Sequence, residues 1–172
     1  MPNTFVKIQT VTVGAGGQSS IVFSSIPSTY TDLCLMISGR STAAVTFTQI
    51  GAYLNGGSYP GIGSTNRNLI GNGSTITYNS NTDYLIFGDV SGTSATSNTF
   101  SNVQVYLSNY ASSLSKSMNT DSVTENNATS VTTAIYALNT TNTSVISGLN
   151  LALGSGNFAQ YSTATLYGIK NS

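Results

Sequence analysis

The chain has 172 residues, five basic against five acidic, no His, no Trp and one Cys, and only 6% of it is charged. That length suits one domain able to bury a substantial core. The charge balance leaves no basic face for nucleic acid and no polybasic or acidic segment for a membrane surface. Serine triads, imidazole bases and most zinc sites lose their usual group with His absent.

Ser, Thr and Asn supply 70 of the residues, while Glu, Lys, Arg and Gln, the common helix formers, are scarce. Thr favours strands and Asn serves turns, so the composition predicts an all-β chain. An apolar content of 39% and ten Tyr supply a core and argue against disorder. No apolar run reaches the length of a membrane span, and Met1-Pro2-Asn3-Thr4 has neither the basic segment nor the apolar core of an export signal.

In chain order, a short N-terminal arm, Met1 to Thr4, precedes a first strand from Phe5 to Val13. The Gly14-Ala15-Gly16-Gly17-Gln18 turn then leads to a hairpin partner from Ser20 to Ser24. That glycine cluster precedes a strand and lacks a following Lys, so it reads as a turn and not as a phosphate loop. Pro27 marks a corner, over which Tyr30 is expected to pack. Asp32 to Arg40 is a strand with Leu33, Leu35 and Ile37 inward and Cys34 as a small buried hydrophobe. Another strand runs from Val45 to Asn55.

Ser58 to Ser74, rich in Gly and Asn, reads as a long irregular loop carrying Tyr59 and Arg67. Short strands follow at Thr75 to Tyr78 and Tyr84 to Val90, around an Asn79-Ser80-Asn81 turn. Phe100 to Tyr110 is a strand with Val103, Val105 and Leu107 inward. Lys116 to Glu125 reads as an edge or solvent-facing strand whose charges guard against pairing. Val131 to Leu138 and Val145 to Leu153 alternate well. From Thr163 the chain places Ala164, Leu166 and Gly168 on one side and Thr163, Thr165 and Tyr167 on the other. This well-patterned last strand closes the sheet. Nine to ten strands broken by turns, with no helical pattern, predict a two-sheet antiparallel β-sandwich, a jelly roll being the favoured form. Residues 5–172 form one domain in this reading.

Chemistry is thinly represented. Asp32, Asp83 and Asp89 sit at predicted strand ends as turn caps, so no carboxylate pair for glycoside cleavage stands out. Asp83, Asp89 and Asn81 have the residue types of a calcium site without its dense acidic loop. No catalytic residue, metal site or cofactor is assigned, and the chain reads as a non-enzyme. Tyr side chains are the better candidates, as stacking platforms for sugars or as interface anchors. Arg40 and Arg67 are candidate interface contacts, with a structural hydrogen-bonding role for Arg40 given equal weight.

Several landmarks resemble small tailed-bacteriophage virion proteins of the cyanophage and marine-phage kind. They are Phe23-Ser24-Ser25-Ile26-Pro27-Ser28-Thr29-Tyr30-Thr31-Asp32-Leu33, Ile37-Ser38-Gly39-Arg40-Ser41, Tyr53-Leu54-Asn55-Gly56 and Ser108-Asn109-Tyr110. Gly154-Ser155-Gly156-Asn157-Phe158 and the run from Thr163 to Lys170 complete the set. The resemblance implies a virion protein made in the bacterial cytoplasm and carried on the capsid exterior. Its first form is a homotrimeric capsid decoration (cement) protein that binds the major capsid protein and stabilises the shell. The other is a receptor- or glycan-binding module of a head or tail fibre. Expected contacts are Pro2, Asn3 and Thr4 of the arm, Tyr59 and Arg67 of the long loop, and Tyr84, with a host-surface glycan as the fibre's ligand.

Overall fold

A computed structural model describes residues 4–57, 63–125 and 131–170. Pro2, Asn3 and Tyr59, all named above as contacts, lie outside the described residues. The fold is all-β, and no helix among the described residues could cross a membrane. Twelve strands are β1 (Phe5–Thr12), β2 (Ser20–Phe23), β3 (Asp32–Gly39), β4 (Phe47–Leu54), β5 (Ser64–Gly71), β6 (Ile76–Thr82), β7 (Ile86–Ser91), β8 (Ser101–Leu107), β9 (Lys116–Glu125), β10 (Val131–Thr140), β11 (Leu149–Leu153) and β12 (Thr163–Ile169). They form an eight-stranded sheet, β1-β12-β3-β8-β9-β10-β5-β6, and a four-stranded sheet, β2-β11-β4-β7. Every pairing is antiparallel, and the two sheets pack face to face.

Alternation decides what faces the core. Leu33, Leu35 and Ile37 of β3, Val103, Val105 and Leu107 of β8, and Ala164 and Leu166 of β12 point inward. Against them pack Ile21 and Phe23 of β2, Ile50, Ala52 and Leu54 of β4, and Leu149 and Leu151 of β11. The last strand does complete the sheet, pairing β1 on one side and β3 on the other. Cys34 is buried on the opposite face of β3 from Leu33, between its cross-strand neighbours Tyr106 and Tyr167, and burial pushes its thiol pKa up.

Two strand pairs enlarge the sandwich on one side. β5 and β6 enter between β4 and β7, and β9 and β10 enter between β8 and β11. All four join the large sheet, and they make up half of it.

Several sequence expectations are corrected. β1 and β2 are not a hairpin, because the chain crosses from one sheet to the other between them. The stretch read as an irregular loop holds β5, which pairs on both sides. β6 runs straight through Asn79-Ser80-Asn81, and the turn falls at Asp83, in the left-handed region at φ 63°. β9 is interior, between β8 and β10, and its Lys116 is 1% exposed: the ammonium donates to the carbonyls of Ser112 and Leu114 instead of guarding an edge. Tyr30 packs over Gly168, while the Tyr110 hydroxyl reaches the Pro27 carbonyl. Asp89 caps no turn: it is 2% exposed inside β7 and accepts from the Tyr136 hydroxyl at 2.6 Å.

Candidate functional site

Cross-strand register brings residues distant in sequence into rows. On the outer face of the large sheet one row crosses all eight strands: Thr10, Thr165, Met36, Gln104, Asp121, Ile135, Leu69 and Tyr78. The inner row one residue along reads Gln9, Leu166, Leu35, Val105, Thr120, Tyr136, Asn68 and Asn79. The two rows change character in opposite senses. Over the framework strands the outer face is mostly polar and the inner face apolar, as in any sandwich. Over β5 and β6 the inner face turns polar, with Ser64, Asn66, Asn68 and Asn79, and Leu69, Ile76 and Tyr78 face outward, while β10 keeps Ala134, Tyr136 and Leu138 in the core and carries Ile135 outside.

The apolar part of the outer face is well exposed. Ile135 is 53%, Leu69 55%, Ile76 79% and Tyr78 81% accessible, and the first two and Tyr78 are adjacent across β10, β5 and β6. Arg67 lies one row along on β5, paired across to Ala137 and Ser80, with its guanidinium donating to the Ser80 hydroxyl. Beneath this face the inner side of β5 buries Ser64, Asn66 and Asn68. Among the described residues the Ser64 hydroxyl, both polar atoms of the Asn66 amide and the Asn68 amide oxygen have no hydrogen-bond partner.

The two sheet edges also differ. β1 at one edge carries Lys7 and a bulge between Lys7 and Gln9, two devices that blunt an edge. β6 at the other edge, Ile-Thr-Tyr-Asn-Ser-Asn-Thr, has no charge, no Pro and a regular register with β5. Among the described residues nothing pairs with its outer side.

The polar part of the outer face holds a cleft of about 520 Å³ across β12, β3, β8 and β9. Its side walls and floor include Met36, Asn102, Gln104, Asp121, Thr165 and Tyr167. Tyr167 is set edge-on to Phe5, with ring centroids 6.3 Å apart and planes at 70°. Below that end of the face, the Tyr106 hydroxyl donates to Asp32 Oδ2 at 2.6 Å, and this bond pushes the Tyr106 pKa up to about 12. Asp32 Oδ1 accepts from the Asn109 amide at 2.8 Å, so Asp32 is occupied with structure.

The residues singled out in the sequence fall apart in space or in role. Arg67 borders the exposed apolar face. Tyr84 sits between β6 and β7, 37% exposed, and Thr4 ties down the first strand by accepting the Lys170 amide at its carbonyl. Arg40 is structural: its guanidinium donates to the carbonyls of Ala95, Thr96 and Thr99. Asp83 accepts from the Gly63 amide, far in role from buried Asp89. Among the described residues no three of His, Cys, Asp and Glu gather as metal ligands. The cleft residues Asn102 and Gln104 went unnoticed in the sequence, where nothing but strand alternation marks them, and Asp121 was read there only as one of the charges guarding an edge. No protein-family model, no curated protein and no solved structure matches this chain.

Proposed function

We propose that this chain is a non-enzymatic structural protein of a tailed-bacteriophage virion, a capsid decoration protein that docks on the major capsid protein. The observation that carries this reading is the reversed polarity of the β5–β6 end of the large sheet. Leu69, Ile76 and Tyr78 face outward on strands whose inner side is polar, with Ile135 exposed beside Leu69, and the sheet ends there in an uncharged edge. Leaving such a face and edge bare invites association, so it suits a surface meant to be covered by a protein partner. Arg67, beside the apolar row, gives the docking face a directional hydrogen-bonding group at its rim.

Two further features support a place in a virion. The landmarks that resemble phage virion proteins run through β2, β3, β4, β8 and β12. With the four inserted strands set aside, the order is β1-β12-β3-β8 against β2-β11-β4-β7. That order supports the jelly-roll form, which viral capsid and lectin domains share and which by itself decides no function. A nearly uncharged chain can also be packed in many identical copies without accumulating like-charge repulsion. The assembly unit in this proposal is the homotrimer that the resemblance implies, and sedimentation of the free protein measures it.

The test is binding of purified protein to undecorated phage heads and, in parallel, to intact host cells. The expected result is saturable binding to heads with a higher rupture temperature, lost in Leu69→Ser and Tyr78→Ser. Binding to cells but not to heads would overturn the proposal in favour of a fibre module.

A further inference from the structure

We infer that the cleft across β12, β3, β8 and β9 is a binding site for a short neutral oligosaccharide. The inference does not depend on shell docking: the cleft lies on β12, β3, β8 and β9 and the exposed apolar row on β10, β5 and β6, the two meeting where Asp121 pairs across to Ile135. It starts from side chains that the fold leaves unused. Among the described residues, the amides of Asn102 and Gln104 and the carboxylate of Asp121 take part in no side-chain hydrogen bond, yet all three converge on one cleft. Each is a planar group with two atoms side by side, and the amides offer a donor and an acceptor together. Neighbouring hydroxyls on a sugar ring present the complementary pair.

Spacing fits the same ligand. Thr165, Met36, Gln104 and Asp121 succeed one another across four strands. Adjacent strands stand about 4.8 Å apart, close to the length of one pyranose ring in a chain. A chain of three rings running across the strands would meet the Met36 side chain and then the polar groups of Gln104 and Asp121, one strand at a time. The Tyr167 ring, held edge-on by Phe5, and the Met36 side chain add apolar surface for the C–H faces of the rings.

The cleft also discriminates by what it lacks. Among the described residues Asp121 is the one charged group in its lining, so an anionic ligand meets repulsion at that end of the cleft. A peptide strand finds no main chain to pair with, because β12, β3, β8 and β9 each already pair on both sides. The floor is rigid, resting on buried Ile37 and Val103, so little ordering is lost on binding.

The test uses the full chain labelled for NMR and titrated with maltotriose, cellotriose, laminaritriose and N,N′,N″-triacetylchitotriose, with trigalacturonate as the anionic control. At least one neutral probe should bind in the millimolar range and shift the side-chain amides of Asn102 and Gln104. Gln104→Ala and Asn102→Ala should each weaken that binding roughly tenfold, the loss of about one net hydrogen bond or slightly more. Both side chains are exposed, so neither variant should disturb the fold. Tyr78→Ser, on the other half of the sheet, should bind the probe as the parent does. The inference is overturned if no neutral probe shifts those amides up to about 10 mM. It is equally overturned if Gln104→Ala and Asn102→Ala bind unchanged, or if trigalacturonate binds as well as the neutral probes.

Discussion

The hydroxyl of Tyr136 in β10 donates to Oδ2 of Asp89 in β7 at 2.6 Å, a side-chain hydrogen bond that spans the two sheets. Neither group reaches solvent: Tyr136 is wholly buried and Asp89 is 2% exposed. Removing the hydroxyl strands a buried carboxylate, whose other oxygen has no partner among the described residues. Tyr136→Phe should therefore cost about 2–3 kcal/mol in chemical denaturation, the range for a hydrogen bond to a charged group.

Asp89 also makes stability depend on pH. Burial holds its carboxyl above the usual carboxylate range, with the Tyr136 hydrogen bond opposing that rise. As pH falls, the folded chain takes up this proton before the unfolded chain does. Stability at this site is thus lowest above the folded pKa, rises as pH falls through it, and levels off below the unfolded value of about 3.9. Melts of the parent and Asp89→Asn between neutral pH and pH 4 should converge or cross as pH drops, the parent gaining on the variant. Parallel curves would refute the assignment.

Lys116 is another buried charge with a clear task. Its ammonium donates to the carbonyls of Ser112, at 2.8 Å, and Leu114, and so fastens the turn between β8 and β9. Burial lowers its pKa without removing those bonds. Lys116→Met keeps the length of the side chain and loses both donors. We expect a loss of about 1–3 kcal/mol and faster amide exchange confined to residues 110–115.

Gly168 is small for a reason that its backbone angle does not give. A Cβ there would run into the Tyr30 ring, which lies flat against that position of β12. Gly168→Ala should destabilise by about 1–3 kcal/mol through overpacking. Combining it with Tyr30→Ala should restore part of the loss, and a double-mutant cycle measures the coupling. Additive effects would show that the two do not meet.

Arg40 fastens the segment after β7. Nη1 donates to the carbonyls of Thr96 at 2.8 Å and Thr99 at 2.7 Å, and Nη2 to that of Ala95 at 3.2 Å. A lysine cannot reproduce this planar fork. Arg40→Lys should cost about 2 kcal/mol and loosen residues 93–99 in hydrogen exchange, with the sheets still protected.

Sequence alternation disclosed the strands whose inner residues are apolar, as with Leu33, Leu35 and Ile37, or Ala164 and Leu166. It failed where a strand buries polar residues. β5 hides Ser64, Asn66 and Asn68, and β9 hides Lys116, Thr120, Ser122 and Thr124, so one read as a loop and the other as an edge. Arg67 was picked out for its charge and does border the exposed apolar face. The cleft could not be found this way, because period-2 alternation gives the face of a residue but not its neighbours. Only strand order brings Met36, Gln104, Asp121 and Thr165 together.

That strand order has a consequence for motion. Among the described residues β6 pairs with β5 alone, and nearly all of its residues are exposed. β5 in turn buries polar atoms that have no partner among the described residues, which weakens its hold on the body. Peeling should begin at β6, extend to β5 and stop at β10, where Tyr136 is latched to Asp89. The hairpin that presents the apolar face is thus the loosest part of the sheet, and whatever grips that face also completes its folding.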